Sequence, residues 1–443
     1  MHRPANRLVK FALLLAFISL GPAFVRAQHK KAAPPDGPDE QLKEFRLKDL
    51  EATLRTMPPG PDRDYFAGVF ANRAGHTAVS IELLTRVLPA LRDARPDRAA
   101  IALEALADGY FKTFRYADSA RAYDDLLAHF SSQLTPQKLK GTKDDAQIVQ
   151  ILRDSPAQTI SWSGAVSLKT ERNPLNSQNV ELTVNGVHGP WLIDTGANIS
   201  VVSKTFAEQL GLKLLAGAAE TQAGLTGIEN PLRVALVPTL EIGGATLHNV
   251  VVMVLDDANL HVGSGEGAYQ IHAILGYPVL QALGTITFRR EGVFEAGGTP
   301  PAAGAAARIY MDLLIPLLSC NVEGEDLLFS FDTGAADTNL SVLYYERFRS
   351  ESRTWKKTNF EIAGAGGVVK RKLYVQPEAI LGIGDNKVPL KSVSIYTTKS
   401  GTTHDDLYGN LGQDVVENFE SFTLDFRAMT FTLGAPVPPT KDH

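Results

Sequence analysis

The triplet Asp-Thr-Gly occurs twice in this 443-residue chain, each time directly after a run of apolar residues. The first copy lies in WLIDTGANIS, residues 191–200, and the second lies in LLFSFDTGAAD, residues 327–337. A carboxylate at the end of a buried apolar strand costs free energy unless it is paired and hydrogen-bonded. An Asp that only formed a turn would follow polar residues. The pattern therefore predicts that Asp194 and Asp332 meet in the folded protein.

The remaining residues of the triplets suit a paired arrangement. Gly196 and Gly334 allow a tight turn, and their amides can donate to a carboxylate. Thr195 and Thr333 can hydrogen-bond across to the opposite copy and lock the two loops together. Two carboxylates about 3 Å apart cannot both ionise readily, so one keeps a proton while the other is charged. A water between them would meet a base and an acid, which is the chemistry of peptide-bond hydrolysis without a metal or a covalent intermediate.

The similarity between the two halves extends well beyond the triplets. In each half a valine lies ten residues before the Asp, and a hairpin glycine lies eight residues before it. A second glycine, which follows a short predicted strand, lies 82 residues beyond the first Asp and 80 residues beyond the second. These pairs, with a closing Phe-Arg pair in each half, are Val184 and Val322, Gly186 and Gly324, Gly276 and Gly412, Phe288-Arg289 and Phe426-Arg427. The shared order predicts an internal duplication, with one lobe at 156–294 and the other at 309–435. A Gly/Ala/Pro-rich linker at 295–308 separates them, and a short tail follows at 436–443.

A helical region precedes the two lobes. Apolar residues recur at three- and four-residue spacing from residue 40 to about 130, and strand-like alternation is absent. Residues 67–87 and 106–127 each indicate helix, short turn, helix, with the small and large residues spaced as in a tetratricopeptide repeat. Residues 131–156 predict one or two further helical turns and then a linker. We expect a TPR-like module over 40–155, which could dock a protein partner, although a small helical bundle could imitate the pattern.

The N-terminal residues predict a secretory signal. Three basic residues precede FALLLAFISL, an apolar run of ten, and a small residue closes the segment at Ala27. Residues 1–27 are therefore expected to be removed, leaving a flexible lead-in at 28–39 and a secreted or periplasmic protein. The run is too short to span a bilayer comfortably, and no later stretch is long enough, so no membrane span is expected in the mature chain.

Composition narrows the classes of function. The net charge is −5 without a basic block, so nucleic acid is not an expected partner. The single cysteine, Cys320, excludes an internal disulfide and a cysteine-based zinc site. The histidines lack paired metal-ligand spacing; ligation by His261 and His272 is conceivable, but solvated or core histidines are the simpler interpretation. We expect no cofactor and no metal.

The duplicated motif resembles that of the retropepsin-like aspartic proteases, which share the apolar-apolar-Asp-Thr-Gly-Ala run, a Gly-rich hairpin and a later apolar-apolar-Gly. The resemblance covers about 180–294 and 309–434. It implies an all-β bilobal fold in which each lobe supplies one Asp, and in which the later strand supports the Asp loop. Because one chain carries both copies, as in the pepsin-like enzymes, no dimer is needed and a monomer is expected.

The same resemblance implies a set of substrate contacts. The Gly-rich hairpins near 222–228 and 363–369 would close over an extended peptide or protein substrate, and Asp337 takes the position of an acid that contacts substrate backbone in retroviral enzymes. The first lobe has Ile199 at that position, so the lobes are not expected to hold substrate symmetrically. The hairpin residues implied are Gly224, Leu225, Thr226 and Gly227 in one lobe, and Gly364, Ala365 and Gly366 in the other.

Three departures from the family pattern stand out. The first hairpin lacks the Tyr of pepsin-like flaps, and Asn410 occupies a position where an apolar residue is usual. Ala197 and Ala335 replace the Ser that usually follows the triplet in pepsin-like enzymes; losing a hydrogen bond to the charged carboxylate would raise the pKa values of the pair. The sequence therefore favours an exported aspartic endopeptidase active at weakly acidic or neutral pH. The alternative is a peptide-binding or scaffold protein with a degenerate protease fold that recruits a partner through its TPR-like module.

Overall fold

The computed structural model describes residues 37–217, 219–223, 228–263, 268–298, 306–364, 367–399 and 403–438. The expected signal peptide and nearly all of the lead-in lie outside these residues. The described chain is helical as far as residue 152 and consists mainly of strands from residue 159 onward. The prediction of a helical N-terminal part followed by a β-rich part is thus confirmed. No helix among the described residues is both long and apolar enough to cross a bilayer.

The helical region consists of seven α-helices of 6 to 18 residues among the described residues, and their boundaries follow local signals. Three of the helices start at prolines, Pro61, Pro96 and Pro136, where the missing N–H would be unpaired in any residue. Just before Pro136 the Thr135 hydroxyl also accepts a hydrogen bond from the Lys138 amide at 3.2 Å. The helices are α1 Pro38–Lys43, α2 Leu47–Thr56, α3 Pro61–Arg73, α4 Thr77–Ala94, α5 Pro96–Lys112, α6 Tyr116–His129, α7 Pro136–Leu152, α8 Lys204–Gln209, α9 Tyr277–Leu283 and α10 Val342–Arg347.

Helices α3 to α7 pack successively, each against the next along the chain. Small residues set the close approaches: a methyl group on Gly68 would lie 2.7 Å from the Leu84 side chain, and one on Gly109 would lie 3.2 Å from Ile81. The sequence predicted only one or two turns after residue 131, whereas α7 is a full helix. Its buried apolar residues are concentrated at the C-terminal end, at Ile148, Val149 and Leu152, so the periodic signal over its first half is weak.

The strands form antiparallel hairpins joined by a few parallel pairings. Their bounds are β1 Thr159–Trp162, β2 Val166–Arg172, β3 Gln178–Val184, β4 Val187–Ile193, β5 Ser200–Ser203, β6 Ala219–Ala223, β7 Ile228–Ile242, β8 Ala245–Leu255, β9 His261–Val262, β10 Tyr269–Gln270, β11 Ala273–Leu275, β12 Thr285–Arg289, β13 Val293–Ala296, β14 Ala307–Asp312, β15 Ile315–Val322, β16 Glu325–Phe331, β17 Asn339–Leu340, β18 Lys356–Gly364, β19 Gly367–Ile383, β20 Asn386–Tyr396, β21 Gly409–Leu411, β22 Ser421–Asp425 and β23 Thr430–Leu433.

The strands divide into a first β region, residues 159–298, and a second β region, residues 306–438. In the first, the hydrogen-bonded order is β2–β3–β4–β11–β5–β8–β7–β6. In the second, it is β14–β15–β16–β21–β17–β20–β19–β18. The two orders agree strand for strand, and the parallel and antiparallel pairings fall at the same places.

Two-residue turns fix the hairpin that leads to each Asp. Asn185 and Gly186 both have positive φ, 52° and 78°, as do Glu323 and Gly324, 52° and 90°. Turns of this type match the right-handed twist of the flanking strands, and glycine adopts positive φ without strain. The hairpins β3–β4 and β15–β16 therefore deliver the chain to residues 194 and 332 in the same way.

A further antiparallel sheet joins the two β regions, in the order β2–β13–β12–β22–β23–β14. At its centre β12 pairs with β22, where the hydroxyls of Thr287 and Thr423 hydrogen-bond at 2.8 Å. Phe288 stacks on Phe422 with ring centroids 4.6 Å apart. Because each region contributes three strands, this sheet holds the two β regions in a fixed relation to each other.

The helical region packs against the second β region. Arg73 at the end of α3 pairs with Asp312 at the end of β14, and the ring of Phe70 lies edge-on to Tyr310 at 6.5 Å. A methyl group on Gly75 would lie 2.5 Å from the sulfur of Met429. The helices and the second β region thus share apolar contacts as well as an ion pair.

Candidate active site

Asp194 and Asp332 each follow a strand whose last residues are buried. Strand β4 runs parallel to β11, and strand β16 runs parallel to β21. Through these pairings the amide of Asp194 donates to the carbonyl of Leu275 at 3.1 Å, and the amide of Asp332 donates to that of Leu411 at 2.9 Å. The short strands β11 and β21 therefore fix where each triplet begins.

The glycine that directly follows each supporting strand packs against the loop that carries the Asp. A methyl group on Gly276 would lie 2.6 Å from the backbone of Ile199, and one on Gly412 would lie 2.6 Å from the backbone of Asp337. No other residue would fit at either position without displacing a loop. The side chain of Asp337 is half-buried beside this crossing.

The two carboxyl groups are fully buried and lie against each other. Both Asp194 and Asp332 have no exposed surface, and each carboxyl group shifts the pKa of the other. The glycines pack reciprocally: a methyl group on Gly196 would lie 2.7 Å from Cγ of Asp332, and one on Gly334 would lie 2.7 Å from Oδ2 of Asp194. Each triplet therefore supports the carboxyl group of the other.

Four hydrogen bonds between the threonines and the opposite backbone join the two loops. The Thr195 amide donates to the Thr333 hydroxyl at 3.1 Å, and the Thr333 amide donates to the Thr195 hydroxyl at 3.0 Å. The Thr195 hydroxyl donates to the carbonyl of Phe331 at 2.8 Å, and the Thr333 hydroxyl donates to that of Ile193 at 2.9 Å. Because both hydroxyls are buried, the loops cannot separate without leaving polar groups unpaired.

The hydrogen-bond donors around the two carboxyl groups differ. Oδ1 of Asp194 accepts from the Gly196 amide at 2.8 Å, while its Oδ2 is buried and receives no donor from the described residues. Oδ1 of Asp332 accepts from the Gly334 amide at 2.8 Å and from the Ala335 amide at 3.1 Å. Its Oδ2 accepts from the side-chain amide of Asn410 at 3.1 Å. The pair is therefore symmetric in backbone geometry and asymmetric in its polar contacts.

Burial dominates the acidity of the pair. It raises the pKa of the Asp194 carboxyl to about 6. Burial, and then repulsion between the two neighbouring carboxylates, raise the pKa of the Asp332 carboxyl well above its ordinary value. Two groups this close titrate as one unit, so the pair holds a single proton over a range that includes weakly acidic pH. In that state it presents a base and an acid to one reacting atom.

Residues from both β regions support the loop that carries Asp332. The Ser177 hydroxyl donates to the carbonyl of Gly334 at 3.1 Å, and the side-chain amide of Gln413 donates to that of Thr333 at 2.9 Å. Arg172 in turn donates to the Gln413 side chain at 2.8 Å. These three residues were not predicted from the sequence, because their places near the triplets depend on distant strand pairings.

Asn410 was likewise predicted only to depart from the family pattern, and not to contact a carboxyl group. One sequence signal was available: Ser330 and Asn410 are both polar, at positions where the first half has Leu192 and Ile274. A paired change of this kind indicates contact between the two positions.

The predicted hairpin residues lie largely beyond what the structure describes. Gly224, Leu225, Thr226, Gly227, Ala365 and Gly366 are outside the described residues. Gly364 ends β18 and pairs with Gly367 at the start of β19, and Ala223 at the end of β6 pairs with Ile228 at the start of β7. The strands that lead to both hairpin tips are thus present. Among the described residues, no three His, Cys, Asp or Glu side chains are grouped so as to hold a metal ion.

Comparison with known proteins gives a family match that overlaps the first half of this site. A family model described as aspartyl protease matches residues 180–279, which include Asp194, the first triplet and β11. The match supports a protease function of the aspartic kind. Among solved structures, the chain is similar to the crystal structure of basic 7S globulin from soybean, with 9% identity and a TM-score of 0.39 over 61% of this chain and 96% of that one. No curated protein matches the sequence.

Proposed function

We propose that this protein is an exported aspartic endopeptidase that hydrolyses peptide bonds with a water activated by Asp194 and Asp332. The observation that carries the proposal is the reciprocal packing of two fully buried carboxyl groups, each against the glycine of the opposite triplet. Burying two carboxyl groups in contact is costly, and such groups are concentrated at functional sites.

The reaction follows from the single proton of the pair. The ionised carboxylate removes a proton from water as the oxygen attacks the peptide carbonyl, and the neutral carboxyl gives its proton to the carbonyl oxygen. The tetrahedral intermediate then collapses with breakage of the C–N bond: the amine leaving group takes a proton from the pair, and one hydroxyl of the intermediate returns a proton to it, so the pair again holds a single proton. No bond forms between protein and substrate.

The fold offers a suitable place for an extended substrate. The equal strand orders of the two β regions support an internally duplicated, bilobal protease fold, with the site between the regions and a hairpin on each side. A peptide would add strand-like hydrogen bonds beneath the hairpins, with Gly224–Gly227, Gly364–Gly366 and Asp337 in contact with it. One chain supplies both halves, so the protein would act as a monomer.

The remaining parts of the proposal concern location and the helical region. Residues 1–27 would direct export to the periplasm or the exterior and be removed. The TPR-like helices would provide a surface on which a protein partner or substrate docks.

The test is cleavage of a mixed peptide library, with new termini identified by mass spectrometry. Asp194→Asn and Asp332→Asn should each abolish cleavage while leaving thermal unfolding cooperative. Asp385→Asn, which changes an exposed Asp in the turn between β19 and β20, is the matched control and should cleave like the parent. A pepstatin-type inhibitor should block the parent. Peptide binding without new termini would instead support a non-catalytic peptide-binding protein.

A further inference from the structure

Strands β16 and β21 carry a polar pair that has no counterpart in the first β region. Ser330 pairs with Asn410 in the parallel register, at the place where Leu192 pairs with Ile274. The Ser330 hydroxyl donates to Oδ1 of Asn410 at 2.7 Å and lies 3.3 Å from the carbonyl of Gly409. Both side chains are 2% exposed, so this polar pair is maintained in the interior of the protein.

The Ser330–Asn410 pair lies next to the carboxyl group of Asp332. With Oδ1 of Asn410 occupied by Ser330, the amide NH₂ points to Oδ2 of Asp332 at 3.1 Å. An ionised carboxylate only accepts hydrogen bonds, and a donor held in place favours the charged form. Asp332 thus receives donors on both oxygens, whereas Oδ2 of Asp194 receives none from the described residues.

We propose that Asn410, anchored by Ser330, is a positioning residue that keeps the negative charge on Asp332 and so assigns the proton of the pair to Asp194. The inference rests on the proposed function for the roles that follow: Asp332 is then the base that takes a proton from water, and Asp194 is the acid that protonates the carbonyl oxygen.

The hydrogen-bond donors decide which carboxyl group keeps the proton, because repulsion between the carboxylates does not. Repulsion opposes the loss of the last proton equally, whichever residue holds it. Both residues also share full burial and a glycine amide. What distinguishes them is the side-chain donor, because Asn410 reaches Oδ2 of Asp332 while Oδ2 of Asp194 receives no donor from the described residues, and this donor can be removed by substitution without altering the backbone.

Two variants test the proposal. Ser330→Leu combined with Asn410→Ile copies the apolar pair of the first β region, so the packing has a precedent in this fold. Ser330→Ala keeps Asn410 and removes only its anchor. The readout is the titration of the aspartate side-chain carboxyl carbons by NMR in protein labelled at Asp. Asp194→Asn and Asp332→Asn assign the two signals.

In the parent, the Asp332 signal should report the ionised form at a pH where the Asp194 signal is still protonated. In the double variant the ionisation of Asp332 should move up by about one to two pH units, the value of one charge-assisted hydrogen bond. Ser330→Ala should give a smaller shift in the same direction. Parent spectra in which Asp194 ionises first would overturn the proposal, and so would a downward shift in the variants, which would mean that Asn410 accepts a proton from neutral Asp332.

The same variants give a second readout in catalysis. In the double variant, the acid limb of the kcat/KM profile should move to higher pH together with the ionisation of Asp332, while KM at the optimum pH changes little. If the parent cleaves no peptide, the proposed function fails, but the NMR titration still decides where the charge lies. If the parent cleaves and the acid limb stays fixed in variants that fold normally, Asn410 does not set the charge and the inference fails alone.

Discussion

The α-carbon of Gly196 lies against the carboxyl group of Asp332, so that a methyl group at this glycine would be 2.7 Å from Cγ and 2.8 Å from Oδ1. Real side chains do not approach this closely, and neither the buried carboxyl nor the loop has room to move. Glycine at position 196 is therefore required by the close packing of the two carboxyl groups as well as by the turn.

We therefore expect Gly196→Ala and Gly334→Ala each to lower the free energy of unfolding by about 1–3 kcal/mol, the cost of overpacking, and to abolish peptide cleavage. Denaturant unfolding and a peptide assay measure the two effects. Gly164→Ala is the control, since a methyl group there meets nothing within 4 Å. Wild-type cleavage by either site variant would show that the carboxyl groups do not work as a closely packed pair.

The threonine hydrogen bonds should be cooperative. Thr195→Val and Thr333→Val keep the side-chain shape and remove the hydroxyl, which leaves an amide and a carbonyl of the loops unpaired. Each buried group left unpaired costs about 1–3 kcal/mol. The double variant should lose less than the sum, because loss of one hydroxyl already loosens the contact between the loops on which the bonds of the other hydroxyl depend. Thr195→Ser and Thr333→Ser, which retain the hydroxyl, should remain near the parent; equal losses for Ser and Val would assign the effect to packing.

Burial of Asp194 should make stability depend on pH in a defined direction. Its pKa is raised from 3.8 to about 6, so the folded state binds the proton more tightly than the unfolded state. The free energy of unfolding should then fall as pH rises through this window. Asp194→Asn should become more stable than the parent above that range, by a value on the order of 3 kcal/mol, and match it near pH 4. Unfolding curves at several pH values measure this, and a constant difference at all pH values would contradict it.

The same pKa shifts set the pH range of activity. The active form holds one proton, and the last proton is lost only above the raised pKa values. Cleavage should therefore persist at weakly acidic pH, with a basic limb of kcat/KM at about 6 or above. A profile confined to strongly acidic conditions would show that the pair ionises as ordinary exposed carboxyls do.

The sequence predicted the parts of the site that local chemistry determines. The apolar runs before Asp194 and Asp332 predicted buried carboxyls, and the structure places the two together. The hairpin glycines Gly186 and Gly324 have the positive φ that their turns need. The joining sheet around Thr287 and the role of Asn410 were not predicted, because both depend on the register between strands far apart in the chain. The docking of α3 depends likewise on Arg73 meeting a residue more than 200 positions away.

The contact between the helices and the second β region bears on whether the helical region is a removable segment. Arg73 and Asp312 are 19% and 11% exposed, and the Arg73 guanidinium lies 4.9 Å from the centre of the Phe45 ring. Arg73→Met should leave Asp312 without its partner and lower the free energy of unfolding by about 2 kcal/mol, between the values for exposed and fully buried pairs. Lys48→Met breaks the more exposed pair with Asp326 in the same interface and should cost less than about 1 kcal/mol.

If the helices are a permanent part of the protein, Arg73→Met should shift one cooperative transition that includes both regions, and the purified active protein should retain the helices by intact mass. Two separate transitions, of which only the helical one moves, would indicate a weakly attached region. An active species that lacks residues before about 156 would identify the helices as a pro-segment. The apolar contacts of Phe70 with Tyr310 and of Gly75 with Met429 argue for the first outcome, because removing the helices would expose Tyr310 and Met429, both nearly fully buried, to water.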